Sequence, residues 1–373
     1  MNGLIKKIIV LIYSLKLRIV LNKKILKIFN SLPSIIDISS EKIQYHKKLW
    51  KDLNNRTNIK WYKVFASING IDDPRYITEY DYHFNVELRL NHKGFSEAYS
   101  DKNSYHRNFM NELLPQIYLR NINGVFYTEK YEYTGFEDAM LLIPDCIEKC
   151  ITKKSTESGG GRGIELFTRN NAEWVSRDGE KLSVSYLDKQ YGSNYIIQEY
   201  IDQHPYFSQF NQSSLNTVRL FTYRSVVSNE VIPLHAVLRI GKPGSLVDNQ
   251  ASGGIACGVK ENGKLNSFAI NKKGEKFDHF NTIVFSNADP VFKFDEIVKI
   301  CLPLANQFYY HRLLGFDFCV DHRGNIRLIE VNNKNNETNF FQMNNGPLFG
   351  EYTDEIISYC KNRKRNFNFD FDI

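Results

Sequence analysis

The chain has 373 residues, of which 42% are hydrophobic and 24% charged, and this length and composition are typical of a folded protein with two or three subdomains. The formal net charge is +6, but residues 1–30 contain seven Lys and Arg residues and no acidic residue, so removing those seven charges leaves −1 for the rest. This near-neutral balance argues against a nucleic-acid-binding protein.

The six cysteines include no C-x-x-C pair, and they are too sparse for a disulfide scaffold. Several of them lie inside apolar runs, as buried free thiols do. We therefore expect reduced cysteines and a cytoplasmic protein.

The first 30 residues combine a short apolar run, residues 8–13, with flanking lysines. The run is too short to span a bilayer, and no small-residue cleavage site of a signal peptide follows it. Two interpretations stay open. The segment is a helix packed on the domain with its lysines reaching solvent, or it lies on the inner face of a membrane or against a glycosyltransferase partner.

Residues 31–145 predict a mixed domain of helices and strands. A helix is expected at 42–54, and a second one at 105–114, with Asp101 as a capping residue. Two short apolar runs on either side of a turn at 121–124 then predict a strand–turn–strand unit.

A glycine-rich loop separates two short strands, predicted at 150–155 and 164–167. Because strands lie on both sides, the loop lacks the helix that Walker A and dinucleotide-binding loops need. Such a hairpin is either a mobile surface feature or a flap whose backbone N–H groups cover phosphates, which glycine permits. The adjacent Lys153 and Lys154 favour phosphate binding, since phosphates need a cation beside the loop.

Strands dominate the second half of the chain. We predict strands at 194–201, 214–224, 232–240 and 255–260, and a helix over most of 290–314. Arg219 lies among the apolar residues of one strand, so we expect an anionic partner for its guanidinium group.

Residues 315–332 predict a β-hairpin with turn residues at 321–325. Glu330 and Asn332 are two residues apart and therefore lie on one face of their strand. If the register places Asp317 opposite them, three oxygen ligands converge into a site that suits Mg²⁺. An ordinary surface hairpin with polar outward positions is the alternative for this pattern taken alone.

The order of these features resembles the ATP-grasp ligases, and in particular the sugar-transfer-associated branch found with capsule and exopolysaccharide genes. The resemblance covers roughly residues 95–345. The segments that carry it are 101–103, 159–163, 198–205, 214–219, 239–241, 248–249, 253–254, 315–317 and 330–332.

The resemblance implies an ATP-grasp fold of the α+β class, with a small β-rich lid and a larger antiparallel sheet that binds ATP and Mg²⁺. The expected division is a basic helical segment (1–30), a mixed domain (31–145), the lid (146–203), the ATP, Mg²⁺ and substrate subdomain (204–360) and a tail (361–373).

The family's functional roles, carried over to this sequence, fall on four groups of residues. ATP would be bound by Lys153 or Lys154, Gly159, Gly160, Gly161 and Gly163 at the phosphates, by Gln198, Glu199, Tyr200 and Ile201 at adenine, and by Asp202 or His204 at ribose. Mg²⁺ would be bound by Asp317, Glu330 and Asn332. The transferring phosphoryl group would be stabilised by Arg219 and Arg239. The substrates would be faced by Asn216, Asp248, Asn249, Gly253, Gly254, Asn335 and Asn336.

The implied activity is an ADP-forming carboxylate–amine ligase that makes an amide through an acyl-phosphate. It would join an amino acid or amine to a uronic-acid carboxylate in capsular or exopolysaccharide biosynthesis. Two alternatives use the same site: a phosphotransferase acting on a sugar or carboxylate, and a non-catalytic ATP-binding subunit of a glycan-assembly complex. The presence of all three metal ligands argues against the second alternative.

Overall fold

The computed structural model of the chain describes residues 3–156, 163–171 and 173–367. The longer helices are α1 (Gly3–Ser31), α2 (Ser40–Trp50), α3 (Lys60–Asn69), α4 (Phe136–Leu141), α5 (Val184–Tyr191), α6 (Phe294–Asn306), α7 (Asn339–Asn345) and α8 (Thr353–Lys361). A π-helix covers Asp81–Glu87. Shorter helical turns include Leu88–Leu90, Ser96–Ser100, Tyr105–Asn108 and Pro205–Ser208.

The strands of the described residues run from the middle of the chain to residue 332. They are β1 (Ile117–Ile122), β2 (Val125–Tyr127), β3 (Lys149–Lys154), β4 (Glu165–Asn170), β5 (Glu173–Ser176), β6 (Tyr195–Glu199), β7 (Thr217–Arg224), β8 (Val231–Ile240), β9 (Ile255–Val259), β10 (Leu265–Ile270), β11 (Lys276–Phe277), β12 (His279–Phe280), β13 (Ile283–Val284), β14 (Leu313–Val320) and β15 (Ile326–Asn332).

Within the described ranges these strands form two main antiparallel sheets. The small sheet has the strand order β2-β1-β6-β3-β4-β5, and the large sheet has the order β11-β10-β9-β8-β7-β14-β15. Strands β12 and β13 pair only with each other. This mixed architecture of helices and antiparallel sheets is the α+β class that we expected.

The large sheet buries both of its faces because alternate side chains of a strand point to opposite sides. From β7, Phe221 and Tyr223 enter the core shared with α3, α7 and α8. Val218 and Leu220 enter the core on the other face, which α6 covers. A third core lies within the small sheet, around Phe167 and its neighbours.

Helix α1 runs without interruption because residues 4–31 contain neither Pro nor Gly, and Pro33 stops it shortly after Ser31. Only its second half supplies buried apolar side chains, at Leu21, Ile25 and Ile28. Among the residues that the structure describes, no helix is both long enough and apolar enough to traverse a bilayer.

The strands predicted in the second half of the chain are confirmed, but the helix predicted at 105–114 is wrong. Only Tyr105–Asn108 is α-helical, because Phe109 adopts an extended backbone with φ −128° and ψ 160°. The boundary expected at residue 145 also cuts through a sheet. Strands β1 and β2 precede it, yet β1 pairs with β6 and so belongs to the small sheet. All six cysteines are free, and all except Cys146 are buried.

Candidate active site

A cavity of about 790 Å³ lies between the small sheet and the large sheet. Its walls come from β3 and β6 on one side and from β7, β8, β14 and β15 on the other. Residues 200–203, which leave the end of β6, line it as well. Most of the residues predicted to bind ATP, metal or substrate therefore surround one space.

Lys153 is the buried cation that the small sheet contributes to this cavity. Only 6% of the residue is exposed, and its side chain shares the face of β3 with Ile151. Burial lowers the pKa of Lys153 to about 7, and the positive charge of Lys102 acts in the same direction. Lys154 also lines the cavity, but it is half-buried and lies at the end of the strand. A buried amine of this kind is stabilised most when an anion enters beside it.

The glycine-rich loop leaves directly from β3. Strands β3 and β4 pair antiparallel, which confirms the predicted hairpin. Gly159, Gly160 and Gly161 lie outside the described residues. Gly163 has φ +71°, and its carbonyl accepts a hydrogen bond of 2.8 Å from the hydroxyl of Tyr191. This bond ties the C-terminal end of the loop to the last residue of α5.

The end of β6 and the segment after it form the wall between the two sheets. Gln198 is buried there, and Glu199, Tyr200, Ile201 and Asp202 all line the cavity. The backbone N–H of Glu199 donates to the carbonyl of Gln116 at 2.8 Å, and its carboxylate accepts from the N–H of Gln116 at 3.1 Å. The carboxylate of Glu199 is thereby held at the start of β1.

His204 does not line the cavity. Its Nδ1 accepts a hydrogen bond of 3.2 Å from the N–H of Tyr206 and so caps the short helix Pro205–Ser208. Its ring stacks on Phe292 with 4.0 Å between the centroids. Of the two residues predicted for ribose, only Asp202 lines the cavity.

Arg219 and Asp317 form an ion pair on the cavity face of the large sheet. They lie opposite each other on β7 and β14, and Arg219 Nε donates to Asp317 Oδ1 at 2.5 Å while Nη2 donates to Oδ2. Arg239 donates to the same Oδ2 at 2.9 Å and pairs with Asp248 at 3.1 Å. Burial alone would lower the pKa of Arg219, but the carboxylate of Asp317 raises it. The anionic partner expected for Arg219 is therefore Asp317.

Glu330 lies opposite Asp317 in the β14–β15 pair, and Asn332 lies opposite Gly315, so the register predicted for this hairpin is confirmed. Lys102 Nζ donates to Glu330 Oε1 at 2.9 Å. Burial alone would raise the pKa of Glu330, but Lys102 lowers it to about 2. The carboxylate is therefore ionised at any pH near neutrality.

Asp317, Glu330 and Asn332 supply hard oxygen donors, which Mg²⁺ prefers. Both oxygens of Asp317 accept from guanidinium groups, whereas Glu330 Oε2 and Asn332 Oδ1 accept no hydrogen bond from any described residue. In the described part of the chain, no group of three or more His, Cys, Asp or Glu side chains could hold a metal alone. The set fits an ion that completes its coordination with phosphate oxygens and water, as Mg²⁺ does.

Four of the residues predicted to face the substrates line the cavity: Asp248, Asn249, Asn335 and Asn336. Asn335 has φ +53°, and its amide oxygen accepts a hydrogen bond of 3.0 Å from Lys93. The backbone N–H of Asn336 donates to Glu87 Oε1 at 3.1 Å. These two bonds hold the loop that follows Asn332 against the N-terminal region.

The other three residues predicted to face the substrates, Asn216, Gly253 and Gly254, do not line the cavity. Asn216 is fully buried, and its Nδ2 donates to the carbonyl of Phe207 at 2.9 Å. A Cβ on Gly254 would lie 2.7 Å from the carbonyl oxygen of Asp248. Their places in the fold are those of supporting residues, because they shape the segments beside the cavity without reaching it.

Lys102 is the site residue that the sequence reasoning missed. It is 8% exposed, lines the cavity and pairs with Glu330. The available signal was the segment 101–103, from which we inferred only a cap. Asp101 does cap this turn, because its side chain accepts from the N–H of Asn103 at 2.9 Å. The cap fixes the turn that presents Lys102 to the cavity.

Comparisons with known proteins indicate one family. Residues 84–356 match the family model described as sugar-transfer associated ATP-grasp. No curated protein sequence matches the chain.

Similar solved structures come from three bacteria. One is the biotin carboxylase domain of Hydrogenobacter thermophilus 2-oxoglutarate carboxylase with MgADP, ADP and bicarbonate (14% identity, 72% of this chain and 46% of that chain, TM-score 0.40). Another is Campylobacter jejuni biotin carboxylase as a beta-gamma-ATP complex (14% identity, 71% and 46%, TM-score 0.40). A third is Staphylococcus aureus N5-carboxyaminoimidazole synthetase with ADP (11% identity, 72% and 52%, TM-score 0.38). The chain spans about half the length of the proteins that it matches.

Proposed function

The chain belongs to the sugar-transfer-associated ATP-grasp family, and on that premise we propose that it is an ATP- and Mg²⁺-dependent carboxylate–amine ligase. Members of the ATP-grasp family are ATP-dependent carboxylate–amine ligases. The observation that carries the proposal is that Lys153 and the oxygen donors Asp317, Glu330 and Asn332 line one cavity from opposite walls. Phosphoryl transfer needs cations and metal ligands on both sides of a triphosphate. The cavity volume of about 790 Å³ suits a ligand of that size.

We assign the adenine end to Gln198 and the backbone of residues 199–201, and the ribose to Asp202. Lys153 would hold the phosphates from the small sheet, with Lys102 close by on Glu330. Asp317, Glu330 and Asn332 would hold Mg²⁺, which when bound would neutralise charge on the phosphate oxygens.

Arg219 and Arg239 supply fixed positive charge beside these ligands. A guanidinium group stays protonated at any working pH, so the two arginines bind oxyanions without exchanging protons. The carboxylate of Asp317 fixes the orientation of both side chains before a substrate arrives. Charge arranged in advance in this way stabilises a transition state better than charge that must first reorganise.

The proposed reaction has two steps. An oxygen of the substrate carboxylate attacks the γ-phosphorus of ATP, ADP leaves, and an acyl-phosphate forms. The amine then attacks the acyl carbon and displaces inorganic phosphate, which leaves the amide. With the amine entering as an ammonium ion, the two steps together release one proton. No side chain has to act as a nucleophile, so the residues bind and orient the reactants and exclude water.

The association of the family with sugar transfer supports a sugar carboxylate, such as a uronic acid, as one substrate and an amino acid or amine as the other. We assign the carboxylate substrate to the end of the cavity lined by Asn335 and Asn336, because this loop directly follows the metal ligand Asn332. The proposed setting is the synthesis of a capsular or extracellular polysaccharide.

An ADP-release screen tests the proposal. Amino acids and amines are paired with uronic-acid sugar nucleotides and oligosaccharides, and the amide is detected by mass. We expect ADP release that needs Mg²⁺ and both substrates, and a loss of at least about 100-fold in Glu330→Gln. Glu296→Gln, a change at an exposed position of α6, is the matched control and should retain activity. ADP release without an amine, with a product heavier by one phosphoryl group, would support the phosphotransferase alternative instead.

A further inference from the structure

Helix α1 has two apolar faces, and only one of them packs against the rest of the protein. Leu21, Ile25 and Ile28 are buried on the packed face. The same face is held by polar contacts, because Lys24 pairs with Glu79 at 2.9 Å and Ser14 shares a hydrogen bond of 2.7 Å with Tyr80.

The opposite face of α1 carries an apolar stripe that is exposed along its whole length. Its members, here called the outer stripe, are between 44% and 59% exposed: Ile8, Leu11, Ile12, Leu15, Ile19 and Leu26. At about 100° per residue these positions fall within about 100° of the helix circumference. With a rise of 1.5 Å per residue the stripe is about 27 Å long. Single exposed apolar residues are ordinary on a protein surface, but a continuous patch marks an interaction site.

Lysines border the outer stripe on both sides. Lys16, Lys23 and Lys27 lie along one edge and Lys7 lies along the other, and all four are exposed. None of these four forms an ion pair with a residue of the described ranges. Helix α1 contains no acidic residue. The exposed face of α1 is therefore apolar in the middle and positively charged at its margins.

This charge pattern decides between the occupants of the face. A second copy of the chain would bring the lysines of one outer stripe against those of the other, with no acidic residue of α1 to neutralise them. A bilayer surface that contains anionic lipid satisfies both parts of the pattern. Apolar side chains enter the boundary between headgroups and acyl chains, while lysine side chains reach the lipid phosphates.

We propose that the outer stripe docks α1 on the surface of a bilayer that contains anionic lipid, with the helix lying in the plane of the interface. Because α1 is anchored to the domain through Leu21, Ile25 and Ile28, docking holds the whole molecule at that surface. The proposal is independent of the ligase chemistry, since no residue of the outer stripe lines the cavity.

Vesicle co-sedimentation of the full chain tests this proposal. The probes are vesicles of phosphatidylcholine alone and of phosphatidylcholine mixed with phosphatidylglycerol. We expect binding to the anionic vesicles to be stronger by about tenfold or more, and to weaken with added salt. The triple variant Leu11→Ser, Leu15→Ser, Ile19→Ser and the triple variant Lys16→Glu, Lys23→Glu, Lys27→Glu should each lose this binding.

A matched control carries the same kind of change at apolar residues exposed elsewhere: Leu141→Ser, Leu142→Ser and Val227→Ser. It should bind vesicles like the unchanged chain, and all variants should keep the same circular dichroism spectrum and ADP release. The proposal is overturned if the unchanged chain does not bind anionic vesicles, or if either α1 variant binds them equally well. It is also overturned if light scattering shows a dimer that only the outer-stripe variants dissociate while vesicle binding is absent.

Discussion

Arg219 and Asp317 lie directly opposite each other on β7 and β14, and the guanidinium group of Arg219 contacts both carboxylate oxygens of Asp317. Arg239 donates a further hydrogen bond to the same carboxylate. A residue assigned to the metal is thus also the anion that neutralises two buried arginines. Changes at Asp317 should therefore affect folding as well as catalysis, and Glu330 is the cleaner position for testing the metal site.

Asp317→Ala should lower the free energy of unfolding by about 3–5 kcal/mol, because it leaves two buried guanidinium groups without their counter-charge. Glu330→Ala should cost less, since 30% of the Glu330 side chain is exposed and solvent can replace part of the lost contact. Urea denaturation of the two variants measures the difference. Equal losses would show that the ion-pair cluster around Asp317 contributes nothing special to stability.

ATP binding should take up protons through Lys153. Burial lowers the pKa of Lys153 to about 7, and phosphate oxygens beside the amine would raise it. The affinity for ATP should therefore be highest below about pH 7 and should fall as the pH rises above it. Calorimetry in buffers of different ionisation enthalpy at about pH 8 measures the uptake. Lys153→Met should abolish it, whereas Lys154→Met is the control that retains it. Undiminished uptake in Lys153→Met would remove Lys153 from the phosphate site.

Lys102→Met should shift the acid limb of the activity profile to higher pH. Burial alone would raise the pKa of Glu330, and Lys102 is the group that lowers it to about 2. Without the lysine, the carboxylate should become protonated at a higher pH and lose its ability to bind a metal. Rates of ADP release across the acidic range measure the shift, with Lys299→Met, a change on the exposed side of α6, as the control. An unmoved acid limb would mean that Lys102 does not control Glu330.

His83 should stabilise the folded chain only while it is protonated. It lies 3.9 Å from Glu79 and 3.7 Å from Glu87, and although burial alone would lower its pKa, these carboxylates raise it to about 9. Because the folded pKa exceeds the unfolded value of about 6.5, the contribution, about 3 kcal/mol, is complete below about pH 6.5 and is lost as the pH rises through about 9. Tm of the unchanged chain should therefore fall over this interval, and Tm of His83→Gln should stay flat. Parallel curves would contradict this reading.

Local patterns were sufficient where strands are adjacent in the chain. The alternation in 315–332 predicted the β14–β15 hairpin and the face shared by Glu330 and Asn332, because side chains alternate with a fixed period of two. The hairpin on either side of the glycine-rich loop was predictable for the same reason. Both features depend only on residues close together in sequence.

Long-range pairing was beyond those patterns. Asp317 and Arg219 are 98 residues apart, so no local signal shows that Arg219 occupies the carboxylate expected to bind a metal. The pairing of β1 with β6 likewise joins distant segments and extends the small sheet across the boundary expected at 145. The segment around Lys102 was read as a cap because a capping pattern is local, whereas its partner Glu330 lies 228 residues away.

The most direct test of the ligase proposal follows an oxygen atom from the carboxylate substrate. The substrate that supports ADP release is labelled with ¹⁸O in its carboxylate and incubated with ATP, Mg²⁺ and the amine, and the inorganic phosphate is analysed by mass. We predict one ¹⁸O atom in the phosphate for each amide formed, because the carboxylate oxygen attacks the γ-phosphorus and leaves with the phosphate when the amine displaces it. Amide formation that yields unlabelled phosphate, or ADP release that proceeds equally without the amine, would contradict the proposed function.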